Sequence, residues 1–246
     1  HVEQAFASFL AGRGATISTM DRTYAQRFEA YSFLHVASRL RAMAVSSGFV
    51  PEGKPVRLKY SPRGRNENYT YFSFRLGSGP EALELRHNLT VRSHHAHLRS
   101  PAAFSLDLAV VDEGAVPLGE AVIDNTRLVT FYECKNFQAF PELLASFLGL
   151  VGEMLPAAIR RGRKPLRFPK LGLDCPGLLT GGGEPSVNCY EIWRTVKRRK
   201  LLVDLWFYSP AHNNLVQATV PARPFLVAPA PKKRRKRRGA GTTAQT

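Results

Sequence analysis

Alternating apolar and polar residues predict several β-strands in the first half of the chain. One run has an apolar face made of Leu83, Leu85, His87, Leu89 and Val91. Such alternation over about ten residues is typical of a half-buried strand with one polar face. Shorter runs predict strands at 56–60 and 69–76, separated by segments rich in Gly, Pro and Asn.

Apolar residues at helical spacing predict two long helices. The first should start at Thr23, where Thr23-Tyr-Ala-Gln26 has the form of a capping box, and should end at Gly48. Its inward stripe comprises Glu29, Phe33, Val36, Leu40 and Met43. The second should start at Pro141 and end at Pro156, and its apolar residues lie nearly all round, as in a buried helix.

Two further predicted strands carry charged residues among apolar ones. The first strand carries Asp107, and the second, residues 128–137, carries Glu133 and Lys135. Because side chains alternate along a strand, Glu133 and Lys135 should share one face while Cys134 points to the other. If the two strands pair, Asp107, Glu133 and Lys135 meet and form what we call the acid–lysine cluster.

The chemistry of such a cluster favours a metal-dependent reaction at a phosphate. Two converging carboxylates suit Mg²⁺, whose other ligands can be water and substrate phosphate. A neighbouring lysine can orient an attacking water or offset charge that develops on a phosphoryl group. The other interpretation is an exposed amphipathic strand with a salt bridge. The strongly apolar residues around Glu133 and Lys135 favour the functional interpretation, because a purely structural strand has little use for charges there.

The pattern of Asp107 followed by Glu133-Cys134-Lys135 resembles the PD-(D/E)XK nucleases of restriction-endonuclease-like fold. Leu106 stands where the family often has Pro. The resemblance covers roughly residues 23–155 and implies an α/β domain with a mixed central β-sheet flanked by helices. The implied activity is hydrolysis of nucleic-acid phosphodiester bonds.

The resemblance also implies roles for individual residues. Asp107, Glu133 and the backbone carbonyl of Cys134 would hold Mg²⁺, for which Mn²⁺ could substitute. Lys135 would position the water or stabilise the pentavalent phosphorus. In the family the first helix often lends an acidic residue to the metal site, and Glu29 is the candidate here. The alternative is that Glu29 only interacts with the helix dipole in the first turn.

The charge of the chain favours a nucleic-acid partner, and we expect this partner to be DNA rather than RNA. The 35 Lys and Arg residues against 19 Asp and Glu residues give a formal net charge of +16. A single basic run is usually a solvated face, but two runs flanking one site suggest a surface that follows phosphates. The candidate contacts are Arg160, Arg161, Arg163, Lys164, Lys197, Arg198, Arg199, Lys200, Lys232, Lys233, Arg234 and Arg235.

The composition divides the chain into a single domain over residues 1–220 and a disordered basic tail over residues 221–246. The tail could be a nucleic-acid tether or a nuclear localisation signal, and the Ala-, Arg-, Gly- and Pro-rich composition favours the tether. Three cysteines without a CxxC pair, and the lack of a long apolar run, indicate a cytoplasmic protein without a membrane segment. A homodimer is compatible with these features.

Two other motifs have weaker chemical interpretations. His94, His95 and His97 could bind zinc only with a further ligand, so a loop at the mouth of the site is favoured. The glycine run 181–183 is followed by no GK[ST] and predicts a turn. Two alternative functions also stay open: a nucleic-acid-binding protein whose acid–lysine cluster is structural, and a protein-interaction subunit that its basic arm only targets.

Overall fold

The computed structural model describes residues 24–61, 63–77, 82–93, 102–159 and 175–220. Several predictions fall outside these residues: the cap at Thr23, the His94–His97 cluster, the basic run from Arg160 to Lys164, and the tail from residue 221.

The described residues form four α-helices and nine β-strands. The helices are α1 (Tyr24–Met43), α2 (Pro141–Met154), α3 (Pro156–Ile159) and α4 (Val187–Arg198). The strands are β1 (Ala44–Val50), β2 (Tyr71–Leu76), β3 (Ala82–Arg92), β4 (Ala103–Asp112), β5 (Val122–Ile123), β6 (Leu128–Lys135), β7 (Gly177–Thr180), β8 (Asp204–Ser209) and β9 (Asn214–Gln217).

All nine strands belong to one mixed sheet, which confirms the predicted α/β class. The strand order is β1-β2-β3-β4-β6-β7-β8-β9, and β5 pairs with β3 outside this path. Neighbours from β1 to β6 run antiparallel, β6, β7 and β8 run parallel, and β9 returns antiparallel to β8. A helix connects β6 to β7 and another connects β7 to β8, as parallel neighbours require.

The sheet has a hydrophobic core on each face. The first core lies under α1, whose Phe33, Val36 and Leu40 are buried as the helical spacing predicts. The second core lies under α2 and α4 and contains the large buried ring of Trp193. The sheet is therefore sandwiched between helices, and its central strands contribute side chains to both cores.

Beyond Asn88, the apolar side chains of strand β3 that continue the alternation point to the opposite face of the sheet. Leu85 belongs to the first core, whereas Leu89 belongs to the second, so the continuous alternation predicted from the sequence is wrong beyond this point. Asn88 has a φ of 51°, a left-handed conformation that Asn tolerates better than most residues. The ladder with β4 continues on both sides but skips Asn88 and the facing Asp107.

Three local predictions are wrong. Helix α1 ends at Met43 and the next residues form β1, although the helix was expected to continue to Gly48. Residues 56–60 form a loop rather than a strand, and the buried Lys59 Nζ donates a hydrogen bond to Asn66 Oδ1 at 2.7 Å. The apolar run at residues 201–208 predicts an edge strand, but the strand formed there, β8, lies between two neighbours.

The three cysteines are free thiols. Among the described helices, none has the length and apolarity needed to cross a membrane.

Candidate active site

The acid–lysine cluster lies where the β4–β6 ladder ends. The last paired residues are Leu108 and Tyr132, so Asp107 and Glu133 occupy the next positions on adjacent strands. Asp107 Oδ2 accepts a hydrogen bond from the backbone N–H of Cys134 at 2.7 Å, in the place of a further strand-to-strand bond. The interruption of the β3–β4 ladder at Asp107 lies at the same point.

Lys135 joins the two carboxylates. Its Nζ lies 2.9 Å from Asp107 Oδ2 and 3.0 Å from Glu133 Oε2. The two contacting oxygens are therefore at most about 6 Å apart, two hydrogen-bond lengths. The predicted pairing of the two strands and the convergence of the three side chains are confirmed, while their role in catalysis stays a prediction.

The electrostatics of the cluster are those of two carboxylates that share one cation. Burial, followed by the charge of Asp107, raises the pKa of Glu133 to about 7. Burial alone would lower the pKa of Lys135, but the two carboxylates raise it above its usual range, so the side chain stays an ammonium. Glu133 Oε1 is buried and has no hydrogen-bond partner among the described residues. The cluster thus keeps one unsatisfied carboxyl oxygen.

The raised pKa of Glu133 predicts that the protein loses stability as the pH rises. The folded state holds this proton more tightly than the unfolded chain, so the contribution is complete below pH 4.5 and is lost through pH 7. We expect this group to lower the free energy of unfolding by about 3 kcal/mol between pH 4.5 and 8. Denaturant titrations of wild type and Glu133→Gln across this range measure the effect. A difference between the two proteins that does not change with pH would contradict the prediction.

Cys134 connects the cluster to the first core. Its thiol is buried on the α1 side, where burial, followed by the charges of Asp107 and Glu29, raises its pKa well above the usual range. The thiol therefore keeps its proton at neutral pH. The Cys134 N–H points towards Asp107, and the N–H and C=O of one strand residue point to the same side. The predicted use of the carbonyl as a ligand is compatible with this arrangement and stays a prediction.

Glu29 lies beside a histidine, although the two side chains make no hydrogen bond with each other. Its Oε2 lies 3.3 Å from Nε2 of His87, whose Nδ1 lies 2.6 Å from the backbone oxygen of Lys59. His87 is paired in the sheet with Leu108, the neighbour of Asp107. The Glu29 side chain is 21% exposed and does not lie in the first turn of α1, so the helix-dipole alternative is wrong. Glu29 also makes no ion pair with the Lys135 ammonium, whose two ion pairs in the described chain are those given above. A role for Glu29 as a metal ligand stays a prediction.

The described part of the second basic run lies at the C-terminal end of α4. Lys197 Nζ is 3.5 Å from Oδ1 of Asp204 and lies over the ring of Trp193. The side chains of Arg198, Arg199 and Lys200 are exposed. Helix α4 has 12 residues, so this end lies about 18 Å from the start of the helix. Cations at this end also stabilise the helix dipole.

Sequence reasoning missed two features beside the cluster. The alternating pattern treats His87 as one more residue of an apolar face. An ionisable residue on a buried face indicates a polar partner in the core. The glycine run 181–183, interpreted as a turn, also allows a close backbone contact. A Cβ atom on Gly182 would lie 2.5 Å from the carbonyl carbon of Phe137. In the sequence, the signal for this loop was the two aromatic residues that come soon after Glu133-Cys134-Lys135.

Comparisons with known proteins give no relative. No protein-family model, curated protein or solved structure matches the chain. Among the described residues there is also no group of three or more His, Cys, Asp or Glu side chains that could hold a metal ion. The acid–lysine cluster has two carboxylates. Glu133 Oε1 has no hydrogen-bond partner, and one oxygen of each carboxylate contacts the Lys135 ammonium. These oxygens suit a divalent ion whose further ligands come from main chain, water or substrate.

Proposed function

We propose that this protein is a metal-dependent nuclease that hydrolyses phosphodiester bonds, with DNA the favoured substrate. The observation that carries the proposal is the convergence of Asp107, Glu133 and Lys135 at the end of a paired strand. The order of elements supports it, because a helix, antiparallel strands, the Asp strand, the Glu-x-Lys strand and a helix follow one another as in the restriction-endonuclease-like core.

In this proposal the carboxylates of Asp107 and Glu133 and the carbonyl of Cys134 would hold Mg²⁺, or Mn²⁺ in its place. The bound ion would supply offsetting charge to the phosphoryl oxygens. Glu133 must be ionised to hold the ion, so the proton that it takes up with a pKa of about 7 competes with the metal, and metal binding should strengthen as the pH rises through neutrality.

Lys135 would act as a cationic donor and not as a base. Its pKa is raised by the two carboxylates, so it carries its proton at neutral pH. Its N–H groups can orient a water or stabilise the charge on phosphorus oxygens. In the reaction, the water oxygen forms a new bond to phosphorus, one ester P–O bond breaks, and the leaving oxygen takes up a proton.

Assays of cleavage test this proposal. Purified protein is incubated with plasmid, linear duplex, single-stranded DNA and RNA, with Mg²⁺, with Mn²⁺, or with a chelator. We expect cleavage of at least one substrate that depends on the divalent ion. Intact substrates in every reaction with either ion would overturn the proposal.

One observation favours a second candidate, a nucleic-acid-binding protein without catalysis. The Lys135 ammonium already contacts both carboxylates, which is also how a structural ion pair looks. The charge of +16 supports both candidates equally. The cleavage assays separate them, because only the nuclease consumes substrate.

The basic tail predicts a change in affinity and not in chemistry. Deletion of residues 232–238 removes seven cations that can each displace a phosphate counterion. We expect weaker binding to duplex DNA and a salt dependence that is flatter by up to about six units of slope. Fluorescence anisotropy at several salt concentrations measures this change, with turnover on bound DNA as the control. An unchanged slope would show that the tail binds something else.

A further inference from the structure

An exposed pair of aromatic rings follows the acid–lysine cluster directly. Phe137 and Phe140 are 44% and 39% exposed, and their ring centroids lie 5.9 Å apart with an angle of 30° between the planes. The other large apolar side chains that the structure exposes are aliphatic: Val45, Leu118 and Val187. Among the described residues, Phe137 and Phe140 therefore form the exposed pair of large aromatic side chains.

The loop that carries the rings is fixed against the segment that follows β7. The backbone N–H of Gly181 donates to the carbonyl of Lys135 at 2.8 Å, and that of Ser186 donates to Ala139 at 3.0 Å. The side-chain amide of Gln138 donates to the carbonyl of Glu184 at 2.6 Å. The close approach at Gly182 adds to this fixation, because a side chain there would strike the loop backbone. The backbone that carries the rings is therefore held in place before any ligand binds.

The rings and the cluster lie at the same edge of the sheet. Parallel strands β6 and β7 end together, and both the loop after Lys135 and the glycine run start at these ends. Two residues of chain separate the Cα atoms of Lys135 and Phe137 by at most about 7 Å. A phosphate at the cluster would therefore have its neighbouring nucleotide within reach of the rings.

We propose that Phe137 and Phe140 form a stacking surface for an unpaired base, so that the preferred substrate is single-stranded nucleic acid or a strand with unpaired bases. The inference rests on the proposed function and specifies its substrate. An aromatic ring stacks on any base face, but in a duplex those faces are covered by neighbouring bases.

Size and charge favour a base over a protein partner. Two half-exposed rings offer far less than the roughly 800 Å² that each partner of a stable protein complex buries. The chain carries a net charge of +16, which attracts a polyanion. The exposed carboxylates Glu142 and Glu184 border the loop, so the neutral base and not the phosphate is the part that faces the rings.

Binding measured without divalent ions tests the inference separately from cleavage. Anisotropy of labelled oligo-dT and of a blunt duplex is compared for wild type and for Phe137→Ala/Phe140→Ala. We expect the double variant to lose single-strand affinity by about 5- to 150-fold per stacked base, while duplex affinity changes by less than about twofold. Leu118→Ala, which removes an exposed apolar side chain from another loop, is the matched control and should leave both affinities unchanged.

Two further variants protect the test against misfolding. Phe137→Tyr/Phe140→Tyr should restore single-strand binding, and Phe140→Trp should show fluorescence quenching by oligo-dT beyond that of wild type. Unchanged single-strand affinity in the alanine variant, or an equal loss for both probes, would overturn the inference even if the protein cleaves DNA. Ring-dependent single-strand binding without cleavage of any substrate would support the stacking surface and overturn the nuclease proposal.

Discussion

Asp107→Asn, Glu133→Gln and Lys135→Ala should each reduce metal-dependent cleavage by about a hundred- to a thousandfold, the effect of losing a transition-state interaction worth about 3–4 kcal/mol. The two carboxylate variants keep shape and hydrogen bonding but remove charge that would hold the ion. The lysine variant keeps both carboxylates and removes the ammonium that now joins them. Initial rates of cleavage on the best substrate measure the loss.

The matched control for these variants is Asp204→Asn. Asp204 is a mostly buried carboxylate that also forms an ion pair with a lysine, Lys197. It lies on β8, outside the cluster. We expect it to keep wild-type cleavage. Nucleic-acid binding should survive in the three cluster variants and tighten in the two carboxylate variants, because a negative charge that faces phosphate is gone. Binding that falls together with thermal stability would instead support a purely structural cluster.

Lys135→Met should destabilise the protein by about 3 kcal/mol at pH 8, because it leaves two partly buried carboxylates without their shared cation. The loss should shrink at pH 5, where Glu133, with a pKa of about 7, holds its proton. Millimolar Mg²⁺ should restore part of the lost stability at pH 8, because a divalent ion can replace the ammonium between the carboxylates. Denaturant titrations with and without Mg²⁺ measure these changes.

Two comparisons make this prediction specific. Lys197→Met removes an ammonium that is more exposed and 3.5 Å from its carboxylate, so its cost should be below about 1 kcal/mol and should not respond to Mg²⁺. The double variant Lys135→Met/Glu133→Gln should recover stability relative to Lys135→Met alone. A loss in Lys135→Met that is the same at pH 5 and pH 8 would mean that the carboxylates do not repel each other in the folded protein.

Part of the geometry of the cluster was accessible from the sequence, because two short-range rules determine it. Alternation puts Glu133 and Lys135 on one face, and strands joined by a turn-rich connection tend to pair. The register that brings Asp107 beside them was not accessible in this way, because Leu106 and Leu108, on either side of Asp107, belong to opposite cores and the alternation of β4 breaks there. The partner of Glu29 was not accessible, because the contact with His87 joins a helix to a strand about sixty residues away.

The errors in the predicted fold have identifiable physical causes. The sequence predicts a helix past Met43 because no strong breaker precedes Gly48, yet residues 44–50 gain more by pairing with β2. The alternation at residues 56–60 predicts a strand with Lys59 on its polar side, but the Lys59 ammonium is buried and donates to Asn66. The face change at Asn88 depends on one left-handed residue, which no periodicity reports.

Because β3, β4 and β6 each supply residues to both hydrophobic cores, neither core can open without disturbing the other. The molecule should therefore unfold in a single cooperative transition and not as two successive layers. Amide hydrogens of these three strands should exchange with solvent only through global unfolding, whereas those of β1 and β9 at the sheet margins exchange by local opening. The carboxylates of the cluster are thus attached to the part of the chain that is the last to open.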